Sequence, residues 1–202
     1  MQKKSPIILA ALLLLTVFPT HSLLRHSHLD GLQERASVEE IEKALQSALE
    51  EYKRGDPVKA ISLLAEAIMR IKSSMPLKIA KLFLCSEVRD YNDYDAKDGF
   101  ILQAGEPLLL YIEPEGYGIR KEGSEYKIWI SQDAAIKNEQ GETIFQRNNW
   151  VEYNKAFPTP IIPFYLTNRV SDIPAGKYTY SLTLKDHQKN TFLTESFEFL
   201  VQ

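Results

Sequence analysis

The acidic side chains offer the first chemistry. Asp90-Tyr91-Asn92-Asp93-Tyr94-Asp95-Ala96-Lys97-Asp98-Gly99 sets oxygen donors at alternate positions, as a calcium loop does. Asp93, Asp95 and Asp98 are the candidate metal ligands. Lys97 stands where the next ligand would fall, and no glutamate follows at EF-hand spacing. A solvated loop rich in turn-forming Asp and Asn is the competing reading. Glycoside hydrolysis would need two carboxylates flanking one bond. Glu113 and Glu115 flank Pro114, and with Asp133 they could supply that pair. Strand-end acids that satisfy nearby backbone groups are the plainer account.

Nucleophilic catalysis fails on inventory. The chain has no Gly-x-Ser-x-Gly, and its region of regular pattern holds a single histidine, His187, in a predicted hairpin turn. Cys85, the only cysteine, sits in the apolar run Ile79–Cys85 and reads as a small buried hydrophobe. His26 and His28 have no Cys or acidic ligand set near them, and a zinc site needs more donors than this. No catalytic residue and no cofactor is assigned. Trp129, Trp150, Tyr153 and Tyr117 could instead form a stacking surface for a sugar or a partner chain. The prolines of Phe157–Tyr165 argue that their neighbourhood is a sheet edge.

The elements that would position these residues fall into four segments. Residues 1–22 have a secretory layout: Lys3 and Lys4, an apolar run from Ile7 to Phe18, then Pro19 and the small residues around Ser22. The run is about a dozen residues, short of the roughly 20 that span a bilayer. Cleavage after Ser22 is therefore expected, with no membrane anchor afterwards and a periplasmic or secreted address. Residues 23–36 lack a sustained period and are expected to be a loose N-terminal segment.

Residues 37–75 read as a helical hairpin. Ser37-Val38-Glu39-Glu40 has the form of a capping box. Val38, Ile41, Leu45, Ala48, Leu49 and Tyr52 make one apolar stripe; Ile61, Leu64, Ala65, Ile68 and Ile71 make a second. Gly55 suits the left-handed end of a helix, Asp56 can cap the next, and Pro57 fits its first turn. Gly55-Asp56-Pro57-Val58-Lys59-Ala60-Ile61 with Ala67-Ile68 resembles one tetratricopeptide repeat, without that repeat's aromatic start or a second copy. A lone repeat cannot bury both its faces, so the hairpin must rest on the following domain, a second protomer or a partner.

From residue 77 to 202 the period becomes two. Tyr126, Ile128 and Ile130 alternate with Lys127 and Trp129, and Tyr178, Tyr180, Leu182 and Leu184 alternate with Thr179, Ser181 and Thr183. Phe197, Phe199 and Val201 follow as an inward-facing last strand. Seven or eight strands, each with one packed and one solvated face, predict a mainly β antiparallel sandwich behind the helical hairpin. Ile173-Pro174-Ala175-Gly176-Lys177-Tyr178 with a Phe-rich terminal strand resembles the closing hairpin of bacterial immunoglobulin-like domains. The stretch from Pro76 to Gly118 also resembles uncharacterised exported bacterial proteins that couple a short helical segment to such a domain. That resemblance implies a fold and an address, and no activity.

A formal net charge of −3 excludes a broadly basic, nucleic-acid-seeking surface. One cysteine leaves the core to hold by packing alone. The expectation is a non-enzymatic binding or adaptor protein of the envelope. It would use a protein partner or self-association through residues 37–75, with a glycan on the aromatic residues as the alternative and a carboxylate hydrolase as the third.

Overall fold

The structure, a computed structural model, describes residues 23–202, with side chains from residue 38 onward. The predicted export signal lies outside the described residues. Two helices come first: α1 (Leu23–Lys53) and α2 (Pro57–Ser74). The break between them is set by the residues the sequence suggested. Gly55, at φ 85°, donates to the Tyr52 carbonyl at 3.0 Å, and Asp56 N–H reaches back to the Glu51 carbonyl at 3.0 Å. Those paired bonds close α1 with a left-handed residue that glycine adopts without strain. The Asp56 carboxylate then accepts from Lys59 N–H at 2.9 Å and caps α2, with Pro57 in its first turn.

α1 is longer than the periodicity predicts. The stretch expected to be loose is helical in its backbone, and Ser37 lies within α1 rather than at its start. Residues 23–36 contain no proline, and Leu, Gln, Glu, Arg and Ala favour helix without any apolar period.

Ten strands follow: β1 (Lys78–Asp90), β2 (Asp93–Ala96), β3 (Ile101–Leu102), β4 (Leu108–Glu115), β5 (Arg120–Glu122), β6 (Glu125–Asn138), β7 (Thr143–Phe157), β8 (Leu166–Val170), β9 (Gly176–Asp186) and β10 (Thr191–Val201). One sheet runs β2-β1-β4-β8, the other β3-β10-β9-β6-β5, with β7 also on β6. All pairings are antiparallel except the short β3 with β10. The mainly β sandwich behind a helical hairpin is thus present, with more strands than alternation alone resolves.

Between the sheets lies one apolar core. Leu84, Leu110 and Ile112 from the four-stranded sheet meet Ile128, Ile130, Ile136, Leu182 and Leu184 from the other, all essentially without exposure. The prolines after β7 carry the chain from one sheet to the other. Their apolar neighbours Ile162 and Phe164 plug the core rather than decorate an edge. A second, smaller core lies on the outer face of the four-stranded sheet. There Cys85, Leu109 and Tyr111 are covered by Val88, Tyr94 and Tyr165. Cys85 is a buried free thiol whose pKa burial pushes up.

The hairpin docks on the sandwich through α2, whose Ala65 and Met69 pack against the main core. Ser73 Oγ accepts from Ile119 N–H at 3.3 Å. The connection is then pinned by buried polar groups. Asp186, 1 % exposed, accepts from Gly118, Gln188 and Lys189 N–H. Lys189 Nζ in turn holds the Met75 and Gly116 carbonyls.

Candidate functional site

The acidic segment is a hairpin and not a calcium loop. Asp93 and Asp95 lie on β2, paired with β1 through a turn at Asn92 in the left-handed region (φ 57°). Alternate residues of a strand share a face, and here that face meets Arg89. The Arg89 guanidinium binds Asp93 at 2.8 Å, Asp95 at 2.8 Å and Glu87 at 2.6 Å. Hydrogen bonding to Arg89 holds the Asp95 carboxyl below its ordinary value. Asp98 lies beyond β2, outside this group. No cluster of three or more metal-ligating side chains occurs among the described residues.

The three carboxylates considered for hydrolysis do not converge. Glu113 and Glu115 face outward from β4, and Asp133 faces outward from β6 in the opposite sheet. Each is neutralised by a lysine: Lys81 at 3.0 Å from Glu113, Lys78 at 2.8 Å from Glu115, and Lys185 at 2.6 Å from Asp133. Glu113 also accepts from the Tyr91 and Tyr111 hydroxyls at 3.0 and 3.1 Å. Burial pushes its pKa up, but the three donors outweigh burial and leave it lowered. Asp133 behaves alike: burial raises it, while Asn149 N–H and Lys185 bring it below the ordinary range. Glycoside hydrolysis needs one carboxyl held protonated by its surroundings, and these surroundings favour the ionised form.

Around Glu113 the structure assembles a network that the sequence did not announce. Tyr111 stacks on Tyr165 at 5.3 Å and lies 4.2 Å from Tyr94, centroid to centroid. Burial pushes its hydroxyl up to about 12. Lys81 bridges Glu113 and Asn92, whose backbone N–H donates to the Tyr111 hydroxyl. Beside this network lies a cavity of about 120 Å³, between Lys72 and Met75 at the end of the hairpin and Ile162 and Phe164. With its charges matched and its hydroxyls engaged, the network joins β1, β2 and β4; it does not present a reactive group.

The four aromatic residues fall in different places. Tyr117 is 5 % exposed and donates to the Ile162 carbonyl at 3.0 Å. Tyr153 packs on Phe164 at 4.6 Å, and Trp150 meets Phe145 edge-on at 5.2 Å. Trp129 alone faces outward from the six-stranded sheet. Its ring stacks on His187 at 4.4 Å and its Nε1 donates to Glu152 at 3.0 Å. No single aromatic face results. His187 also lies 2.8 Å from Ser131 Oγ, a pairing that resembles a nucleophile and its base. Ser131 is only 2 % exposed and sits mid-strand, where its backbone N–H belongs to the ladder, so no oxyanion site adjoins it.

The hairpin is different, because its exposed apolar residues do form a surface. Buried Ala48, Ala60 and Ala67 mark the line along which the helices touch. On one flank of that line, Glu40, Lys43 and Ser47 face Glu66 and Arg70 across a polar crevice, with Glu40 and Arg70 ion-paired. At 3.6 residues per turn the opposite flank carries Val38, Leu45, Leu49 and Tyr52 from α1, beside Leu64 and Ile71 from α2. All six are between 42 % and 67 % exposed. The polar crevice was not foreseen, and its signal was present: charged residues fill the side of each helix away from its apolar stripe. No helix among the described residues is long and apolar enough to cross a membrane.

No protein-family model matches this chain, and no curated protein sequence does. Among solved structures, superoxide reductase (neelaredoxin) from Ignicoccus hospitalis aligns at 12 % identity and a TM-score of 0.31, covering 63 % of this chain and 81 % of that one. A variant of the same protein aligns at 12 % identity and a TM-score of 0.34, covering 68 % of this chain and 87 % of that one. Likeness at that level carries no argument about the activity or metal content of this chain.

Proposed function

We propose that this protein is a non-enzymatic binding or adaptor protein of the cell envelope or exterior, and that its contact surface is the apolar flank of the helical hairpin. The observation that supports this reading is the group of half-exposed large apolar residues, Leu45, Leu49 and Tyr52 with Leu64 and Ile71. Contiguous exposed apolar surface of this kind marks interaction sites in soluble proteins. α2 already commits its Ala65 and Met69 to the sandwich, while Leu45, Leu49 and Tyr52 of the α1 stripe stay exposed. The envelope address rests on the secretory layout of residues 1–22.

The carbohydrate alternative keeps one feature, outward-facing Trp129. One face of that indole is already covered by His187, and Trp150, Tyr153 and Tyr117 do not join it. The hairpin reading is therefore preferred. Affinity capture from the native host tests it, comparing the unaltered chain with Leu49→Asp and with Trp129→Ala. Partners lost with Leu49→Asp and kept with Trp129→Ala support the hairpin; the reverse pattern supports the aromatic face.

A further inference from the structure

We infer that the apolar flank of α1 pairs antiparallel with the same flank of a second copy of this chain. The inference rests on the contact-surface reading above and names what covers that surface. Val38, Glu42, Leu45, Leu49 and Tyr52 follow one another at steps of four, three, four and three. That is the spacing of a coiled-coil seam, and all five positions are exposed. α2 covers the neighbouring side of α1 along Ala48, and the seam beside it is the apolar face of α1 left open to a further helix.

Charge then selects the direction and register. In an antiparallel pair with Leu45 set against the second copy's Leu49, Glu42 falls beside the second copy's Tyr52, whose hydroxyl can donate to it. On the open side of the seam, Glu39 faces the second copy's Lys53, and Gln46 faces its own counterpart. Two-fold symmetry makes the Leu45–Leu49, Glu42–Tyr52 and Glu39–Lys53 contacts twice each, with Gln46 on the axis. A parallel pair would set Glu42 against Glu42 inside the seam, an uncompensated charge pair. Sliding one helix by a heptad sets Leu45 against Glu42 in one direction; in the other it sets Lys53 against Gln46 and carries Glu39 and Glu42 past the end of the second copy's α1. One register satisfies both the apolar and the charged positions.

Sedimentation equilibrium of the full chain over a concentration series tests this. The expected result is a species of twice the chain mass that Leu45→Asp abolishes. Lys53→Glu should weaken association by roughly tenfold, since it opposes Glu39 at two places. Glu39→Lys together with Lys53→Glu should restore it to within about threefold. Circular dichroism of each variant confirms that the helices persist. A chain that stays monomeric to about 100 micromolar overturns the inference. So does a dimer indifferent to Leu45→Asp, or a loss on Lys53→Glu that the exchanged pair does not relieve. If the chain is monomeric but Leu45→Asp still loses a host partner in capture, the second copy is excluded and the contact surface stands. If neither association nor capture responds, both readings fall.

Discussion

The ammonium of Lys189 donates to the carbonyl oxygen of Met75 at 2.5 Å, joining the turn between the last two strands to the end of the helical hairpin. A second bond from the same ammonium reaches the Gly116 carbonyl at 2.6 Å. Hydrogen bonds from a charged donor are worth about 1.5–3 kcal/mol each, and removing the donor leaves both carbonyls short of a partner. Lys189→Met should therefore lower stability by about 2–4 kcal/mol in urea titration. Limited proteolysis should show cleavage near residue 76 appearing before cleavage inside the sandwich.

Gly116 sits at φ 71°, and a Cβ there would lie 2.0 Å from the Pro76 carbonyl oxygen. Gly123 has a similar φ of 63° with nothing within 4 Å of that position. Gly116→Ala must move the backbone that joins hairpin to sandwich, and a loss above about 3 kcal/mol is expected. Gly123→Ala meets only the left-handed penalty, about 1 kcal/mol. Thermal denaturation of the two variants side by side separates close approach from conformational preference.

Glu113 supplies the pH dependence. Its folded pKa is lowered from an ordinary value of 4.5 by Lys81, Tyr91 and Tyr111 acting against burial. The folded state thus binds fewer protons than the unfolded chain as the carboxyl titrates. The stability it contributes is complete above the ordinary value and is lost as pH falls through the lowered one. Glu113→Gln should cost about 2 kcal/mol near pH 7. The gap between variant and parent should shrink progressively below about pH 5, read from urea midpoints across the acid range.

Inside the sandwich, Asn168 Nδ2 donates to the Tyr180 hydroxyl at 2.5 Å, and both residues are fully buried. Tyr180→Phe removes that acceptor and should cost about 1–3 kcal/mol. Pairing it with Asn168→Leu removes the stranded amide as well. The double variant should recover most of the loss, which a double-mutant cycle measures directly.

Calcium should not bind the acidic hairpin. Arg89 already bridges Glu87, Asp93 and Asp95, and a cation would have to displace it from between them. Adding millimolar calcium should move the melting temperature by less than about 1 °C, since a ligand stabilises only through the native state it binds.

The elements with local chemistry were legible in the sequence. Gly55-Asp56-Pro57 specified the helix break down to its cap, because every contact it makes is within a few residues. The alternation in β6 and β9 gave the inward faces correctly. What escaped is what only the tertiary fold brings together. The Asp-rich segment read as a loop, since turn-forming residues dominate it, and it is a strand because β1 offers it a partner and Arg89 its counter-charge. Tyr111 sits on the outer face of β4, where Tyr165 and the β1–β2 hairpin fold over to bury it, and only the tertiary fold supplies those partners. Alternation places Trp129 outward, but its partners His187 and Glu152 come from the β9–β10 turn and from β7. The early start of α1 was hidden for the opposite reason: helix propensity without an apolar stripe leaves no period to read.

Cysteine accessibility at the hairpin flank tests the central claim most directly. Cys85 is buried, so a Leu49→Cys variant carries one reactive thiol, placed in the middle of the proposed contact surface. Its alkylation by a membrane-permeant maleimide can be timed in intact host cells and again with the purified chain at high dilution. The account predicts slow reaction in cells and fast reaction on dilution, because a second copy or another partner covers residue 49. Equal rates in both would show the flank bare in its native setting and would contradict the claim.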